Sequence, residues 1–265
     1  MIRKRNVLIF FTICCVSAIF LNYFGEKATN VLDNVFSDKA YAATEECDIS
    51  YIVNNEKKDA AEIENKIDAK NKAAEISEMI ANNGKIDYKQ YFNDTVFVGD
   101  SITEYLSVAD MLPQKNVYAE KGKTVIKAVS DVEQLKYQNP KRIILLFGMN
   151  DVVNFSNSKD YKEKYIELIE KIKSEVPNAK IYIEAPTPIR SDAEKTETGF
   201  TNSRLNEFRQ AAQKVAEETD SEYVDITQLI VNDDFFEVDG IHFKRNFYDA
   251  LFNYLVKVIN DKEKN

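Results

Sequence analysis

Apolar and polar positions along the chain fall into three regimes. From Val7 to Phe24 the run VLIFFTICCVSAIFLNYF is almost continuously apolar and follows Arg3-Lys4-Arg5. Eighteen such residues reach the lower limit for a membrane-spanning helix. From about 25 to 55 the chain is polar without a sustained period and reads as a linker, and from Asp59 to Ala81 it turns to Ala, Glu, Lys and Ile. Ala60, Ile63, Ile67, Ala74 and Ala81 fit one helical stripe, broken by Lys70 and Ser77, which predicts a helical stalk whose seam is too polar for a convincing coiled coil. Asn82-Asn83-Gly84 supplies residues that end a helix.

Beyond Tyr88 short apolar runs alternate with helical patterns. Five runs predict strands: Thr95–Val98, Asn116–Ala119, Arg142–Phe147, Lys180–Glu184 and Glu222–Ile226. Between and after them, Tyr161–Glu175 (Tyr161, Tyr165, Leu168, Ile169 and Ile172 at spacings of three and four), Asn202–Thr219 and Phe247–Ile259 read as helices. This alternation implies βαβ units and an α/β fold, a parallel sheet covered on both faces in three α/β/α layers. The expected organisation is therefore a cytoplasmic tip and membrane anchor over 1–24, a linker and stalk over 25–87, and a catalytic domain over 88–265.

Composition narrows the function. The 265 residues carry a net charge of −9, with 44% hydrophobic and 30% charged positions, a profile that permits a substantial core and disfavours a nucleic-acid partner. Cys14 and Cys15 lie inside the apolar run and Cys47 stands alone, so no disulfide framework or zinc cluster is expected, and one histidine excludes a multi-histidine metal site. No cofactor is expected. Basic residues before the apolar run place the N-terminus in the cytoplasm and the remainder outside as a single-pass protein. Ala40-Tyr41-Ala42 offers a signal-peptide cleavage site, but it lies well past the apolar run, which favours a retained anchor.

Four of the seven glycines sit at strand ends or beside ionisable residues, where an open parallel sheet builds its sites. After the first strand, Gly99-Asp100-Ser101 places a serine at a helix start. There free N–H groups stabilise an oxyanion, although a serine in that position is by itself more often only a cap. Near the C-terminus, Asp239-Gly240-Ile241-His242 puts a carboxylate within reach of the only imidazole in the chain. That is the pairing a serine nucleophile needs. Gly148-Met149-Asn150-Asp151 follows the most apolar strand and offers an amide donor, or simply an Asx turn. The Gly122 N–H in Glu120-Lys121-Gly122-Lys123 is a further donor. No phosphate loop is present. Ile189–Thr201, a polar segment after the fourth strand, reads equally as a pocket-shaping loop and as a solvated one.

Together the blocks Gly99-Asp100-Ser101-Ile102, Gly122, Gly148-Met149-Asn150-Asp151 and Asp239-Gly240-Ile241-His242 resemble, in order and setting, those of the SGNH/GDSL hydrolases. Ile102 stands where the family name has leucine, and the GxSxG elbow of α/β-hydrolases is absent. The resemblance covers the chain from about Tyr88 onward. It implies a flavodoxin-like fold and a triad of Ser101, His242 and Asp239. It also implies an oxyanion hole of Ser101, Gly122 and Asn150. For an exported member it implies ester substrates such as O-acetyl or other short-chain acyl groups on surface polysaccharide or peptidoglycan. An O-acyltransferase and a non-catalytic cell-envelope binding protein remain alternatives, and the sequence does not fix an oligomeric state.

Overall fold

A computed structural model describes residues 86–264, together with Ile63, Glu64, Ile67, Asn71 and Ala74, which are helical and exposed. The expected membrane anchor over 1–24, and all of the linker and stalk apart from these positions, lie outside the described residues. Among the described residues no helix is long and apolar enough to cross a membrane.

Five strands form one parallel sheet: β1 (Thr95–Gly99), β2 (Val117–Ala119), β3 (Arg142–Leu146), β4 (Lys180–Glu184) and β5 (Glu222–Val224). Their spatial order is β2-β1-β3-β4-β5, with Gly99 level with Ala119 and Leu146, and Leu146 level with Glu184. This is the flavodoxin-like order, in which connections leave β1 and β3 in opposite directions and open a crevice at their carboxyl ends. All five expected strands are present. The last ends two residues early because the Asp225 side chain accepts from Thr227 N–H and starts a 3₁₀ turn over Ile226–Leu229.

Both sheet faces are covered, which is why the central strands β1, β3 and β4 are buried along nearly their whole length. One face carries α1 (Tyr88–Tyr91), α2 (Ser101–Val108) and α8 (Arg245–Glu263). Tyr105 of α2 stacks on Tyr248 of α8 at 4.3 Å, while Phe252 of α8 meets Tyr88 at 4.9 Å and Phe97 of β1 at 6.2 Å. The other face carries α6 (Ser158–Glu175) and α7 (Asn202–Glu218), joined through Tyr161 against Phe208 at 4.7 Å. Short helices α3 (Val125–Ala128), α4 (Val132–Leu135) and α5 (Asp151–Asn154) fill the connections. The expected periodic residues Tyr161, Tyr165, Leu168, Ile169 and Ile172 are all buried. α6 begins three residues earlier than its apolar stripe because Asn157 caps it by accepting from Asp160 N–H.

Candidate active site

All five expected site residues come from loops at the carboxyl ends of β1, β2 and β3 or from the turn before α8. At β1 the chain must turn at once into α2. Gly99 is required there because a Cβ would lie 2.1 Å from Thr103 Oγ1. Asp100, not Ser101, is the N-cap: its Oδ1 accepts from Ile102 N–H at 3.0 Å. Ser101 thus occupies the first helical position with its hydroxyl released from capping and its N–H among those a helix leaves without an internal partner. Tyr248 Oη donates to the Ile102 carbonyl at 3.1 Å and fixes the start of α2 from the α8 side.

His242 arrives on a tight turn. Glu237 N–H donates to the His242 carbonyl, Gly240 N–H donates to the Glu237 carbonyl, and Gly240 takes φ +68°. Phe236 packs on Phe243 at 4.9 Å and Phe243 stacks on Phe247 at 4.0 Å, so the turn rests on an aromatic pile. Asp239 Oδ1 accepts from the Ile241 and His242 N–H groups at 2.9 and 3.0 Å. Its Oδ2 lies 2.6 Å from His242 Nδ1, and His242 Nε2 lies 3.0 Å from Ser101 Oγ. Partial burial pushes the Asp239 carboxyl up, but the bonds from the imidazole and the two N–H groups outweigh it and hold it at about 2. Both side chains are over a third exposed, so the pair adds little to stability. Its consequence is orientation: an ionised Asp239 keeps the Nδ1 proton and leaves Nε2 as the acceptor facing Ser101.

The donors flank the serine. Gly122 follows β2 at φ +75°, borders the cleft beside Ser101, and its N–H makes no hydrogen bond among the described residues. Asn150 follows β3 as N-cap of α5, but its side chain makes no capping bond. Its Nδ2 instead donates to Asp100 Oδ2 at 3.1 Å and to the Lys123 carbonyl at 3.3 Å.

Two buried carboxyls, Asp100 and Asp151, support this arrangement, and a third, Glu184, lies buried at the end of β4. Burial pushes Asp100 up to about 6 against the hydrogen bond from Ile102, the nearby imidazole and the Asn150 amide. Asp151 Oδ1 accepts from Val125 N–H at 3.0 Å and its Oδ2 from Gly148 N–H at 2.9 Å, which ties the Gly122 loop to the Asn150 loop. Burial pushes it up to about 7. Glu184, at the end of β4, is pushed up by burial to about 8, and its Oε1 has no hydrogen-bond partner.

A cleft of about 390 Å³ opens over Ser101 and His242. Met149, Val153, Phe200 and Ile241 give it apolar walls, and Lys121, Lys195 and Thr198 border it. Segment Ile189–Thr201 is therefore a pocket-shaping loop. It is braced to the histidine turn: Arg190 N–H donates to the Gly240 carbonyl at 2.8 Å, and the Arg190 guanidinium donates to the Glu237 and Val238 carbonyls. The sequence gives no signal for Arg190, which pairs with nearby Asp192 at 2.6 Å but braces the turn through main-chain carbonyls nearly fifty residues away. Asp151 is visible within its block, but its task is not.

Residues 97–250 match the GDSL-like lipase/acylhydrolase family. The chain belongs to that family. It is an ester hydrolase of the SGNH/GDSL type. Among solved structures it is similar to a lipase/acylhydrolase from Enterococcus faecalis (TM-score 0.51, 19% identity, 63% of this chain and 96% of that one). It is likewise similar to a GDSL-like lipase from Bacteroides thetaiotaomicron (TM-score 0.53, 16% identity, 63% of this chain and 88% of that one). At these identities the likeness is one of fold. No curated protein matches the chain.

Proposed function

We propose that this family member is a serine esterase working through Ser101, His242 and Asp239 on acyl esters of cell-surface glycans, O-acetyl groups foremost. The observation that carries the mechanism is the continuous hydrogen-bonded line from Asp239 through His242 to Ser101, at 2.6 and 3.0 Å, opening into a cleft. Ser101 Oγ attacks the ester carbonyl as His242 Nε2 takes its proton, and Asp239 stabilises the imidazolium. The carbonyl oxygen gains the electron pair and is received by the Ser101 and Gly122 N–H groups and by Asn150 Nδ2. Asn150 then gives the oxyanion the hydrogen now shared with the Lys123 carbonyl, the longer of its two contacts, while Asp100 keeps hold of the other. Collapse of the tetrahedral intermediate breaks the ester bond, and His242 returns its proton to the leaving alcohol. Water deprotonated by His242 then hydrolyses the acyl-enzyme, releasing the acid and restoring Ser101 Oγ–H.

The reading of the substrate as an extracytoplasmic glycan ester rests on the basic and apolar N-terminal residues, which favour a membrane-anchored, exported domain. A non-catalytic role is disfavoured because it requires none of this alignment. An acyltransferase differs only in whether an alcohol or water takes the acyl group. Hydrolysis of short-chain aryl esters and O-acetylated glycans by the full chain tests the proposal, with Ser101→Ala and His242→Ala each expected to lower turnover by about 10³-fold or more. Retention of wild-type rates by either variant removes the assignment.

A further inference from the structure

The cleft over Ser101 inverts the charge of the chain around it. The protein carries 44 acidic against 35 Lys and Arg residues, yet no carboxylate borders the cleft, while Lys121 and Lys195 do. Neither ammonium has an ion-pair partner among the described residues. By contrast, Lys123, two positions from Lys121, is neutralised by Asp131 at 2.5 Å in a largely buried pair. The two free lysines are also separated in the fold. Lys121 stands on the loop after β2 and Lys195 on the loop after β4, and β1 and β3 lie between those strands. They therefore approach the apolar floor of Met149, Val153, Phe200 and Ile241 from different loops.

We infer that Lys121 and Lys195 are specificity residues for esters that carry an anionic group, carboxylate or phosphate, on the part of the substrate flanking the scissile carbonyl. This deepens, and rests on, the reading of Ser101 as the nucleophile. An acidic protein repels anionic substrates at long range, and a local cationic rim reverses the field where the substrate must enter. An unpaired ammonium beside an apolar wall has its charge available to a ligand, whereas that of Lys123 is already neutralised by Asp131. The attraction at such a partly exposed rim is modest, about two- to fivefold in kcat/KM per lysine, and it is screened by salt.

The test compares matched acetate esters: anionic 4-acetoxybenzoate and 4-acetoxyphenyl phosphate against neutral 4-acetoxybenzamide. The full chain is assayed as wild type, Lys121→Gln, Lys195→Gln and the double charge reversal Lys121→Glu/Lys195→Glu. The readout is the anionic-to-neutral ratio of kcat/KM within each protein, from which changes in fold or intrinsic turnover cancel. The ratio is expected to fall about two- to fivefold in each single variant and about tenfold or more in the double reversal. For the wild type it is expected to fall as ionic strength rises from about 0.02 to 0.5 M. The carboxylate and phosphate arms distinguish which anion is preferred. Turnover of all three esters with a ratio insensitive to both lysines and salt overturns the inference and leaves the esterase reading standing. Absence of turnover of any ester, with Ser101 unreactive to a phosphonate, overturns the esterase reading and the inference with it.

Discussion

The hydroxyl of Ser101, the proposed nucleophile, is free of capping because Asp100 takes that task. A serine at a helix start ordinarily spends its hydroxyl on capping; here the Asp100 carboxylate accepts from Ile102 N–H and orients the Asn150 amide as well. The residue types of this division of labour are written in the sequence, since a serine, an aspartate, an asparagine and the one histidine all follow or adjoin glycines. Which of Asp100 and Ser101 is the cap is not, because both types serve and only the backbone geometry chooses. Asp239 shows the same limit: its spacing to His242 is legible, whereas its holding by two N–H groups depends on the Gly240 turn. With its pKa held at about 2, Asp239 remains ionised throughout the working range. The acid limb of a kcat/KM profile is therefore expected to show no step from this carboxylate above about pH 3. Asp239→Asn is expected to lower kcat by about 10³- to 10⁴-fold. A pH-rate series on both proteins checks this, and an acid-limb step above about pH 3 that the wild type shows and Asp239→Asn lacks speaks against it.

At the scale of elements, the central strands are legible because a fully covered parallel strand must be an unbroken apolar run, as Ile143-Ile144-Leu145-Leu146 is. The four-residue helices α1, α3, α4 and α5 are not, because one turn has no period to display. Their positions follow from long-range bonds such as Asp151 to Val125 N–H. The loops also hold a strict steric demand. Gly148 lies at φ +130°, and a Cβ there would sit 2.5 Å from Pro186 Cγ. Gly148→Ala is expected to cost about 2–4 kcal/mol, measured as a fall in denaturant midpoint; an unchanged midpoint would show that the loop gives way freely. Arg190 makes the complementary case. Its guanidinium bonds are exposed and add little to global stability, but they hold the loop carrying Lys195 and Phe200 to the turn carrying His242. Arg190→Ala is expected to reduce kcat/KM about tenfold while shifting Tm by no more than about 2 °C. Equal loss of activity and folded fraction would assign it a structural role instead.

For the whole molecule, the β2-β1-β3-β4-β5 order explains why residues as distant as 101, 122 and 150 meet: each follows a strand whose carboxyl end borders the crevice. The same burial that shapes the crevice raises Asp100, Asp151 and Glu184 to about 6, 7 and 8. A carboxyl whose folded pKa is raised favours the folded state in its protonated form. Its contribution is fully present below the unfolded value, near 4, and is lost as pH rises through the folded one. These groups therefore make the domain lose stability between about pH 4 and pH 8. Glu184 isolates the effect because it lies outside the triad and its donors. Glu184→Gln is expected to raise Tm at pH 9 relative to wild type and to flatten the decline in Tm between pH 5 and 9. Parallel Tm curves for the two proteins would refute the assignment.

The central claim is that Ser101 is a nucleophile activated by His242. Labelling of the intact protein with a serine-reactive fluorophosphonate, followed by peptide mapping, tests it most directly. A single adduct at Ser101 that forms in the wild type and Asn150→Ala proteins, is slowed at least about a hundredfold in His242→Ala and is absent in Ser101→Ala is the expected result. No adduct in the wild type, or an adduct on another serine that survives in Ser101→Ala, would contradict the account.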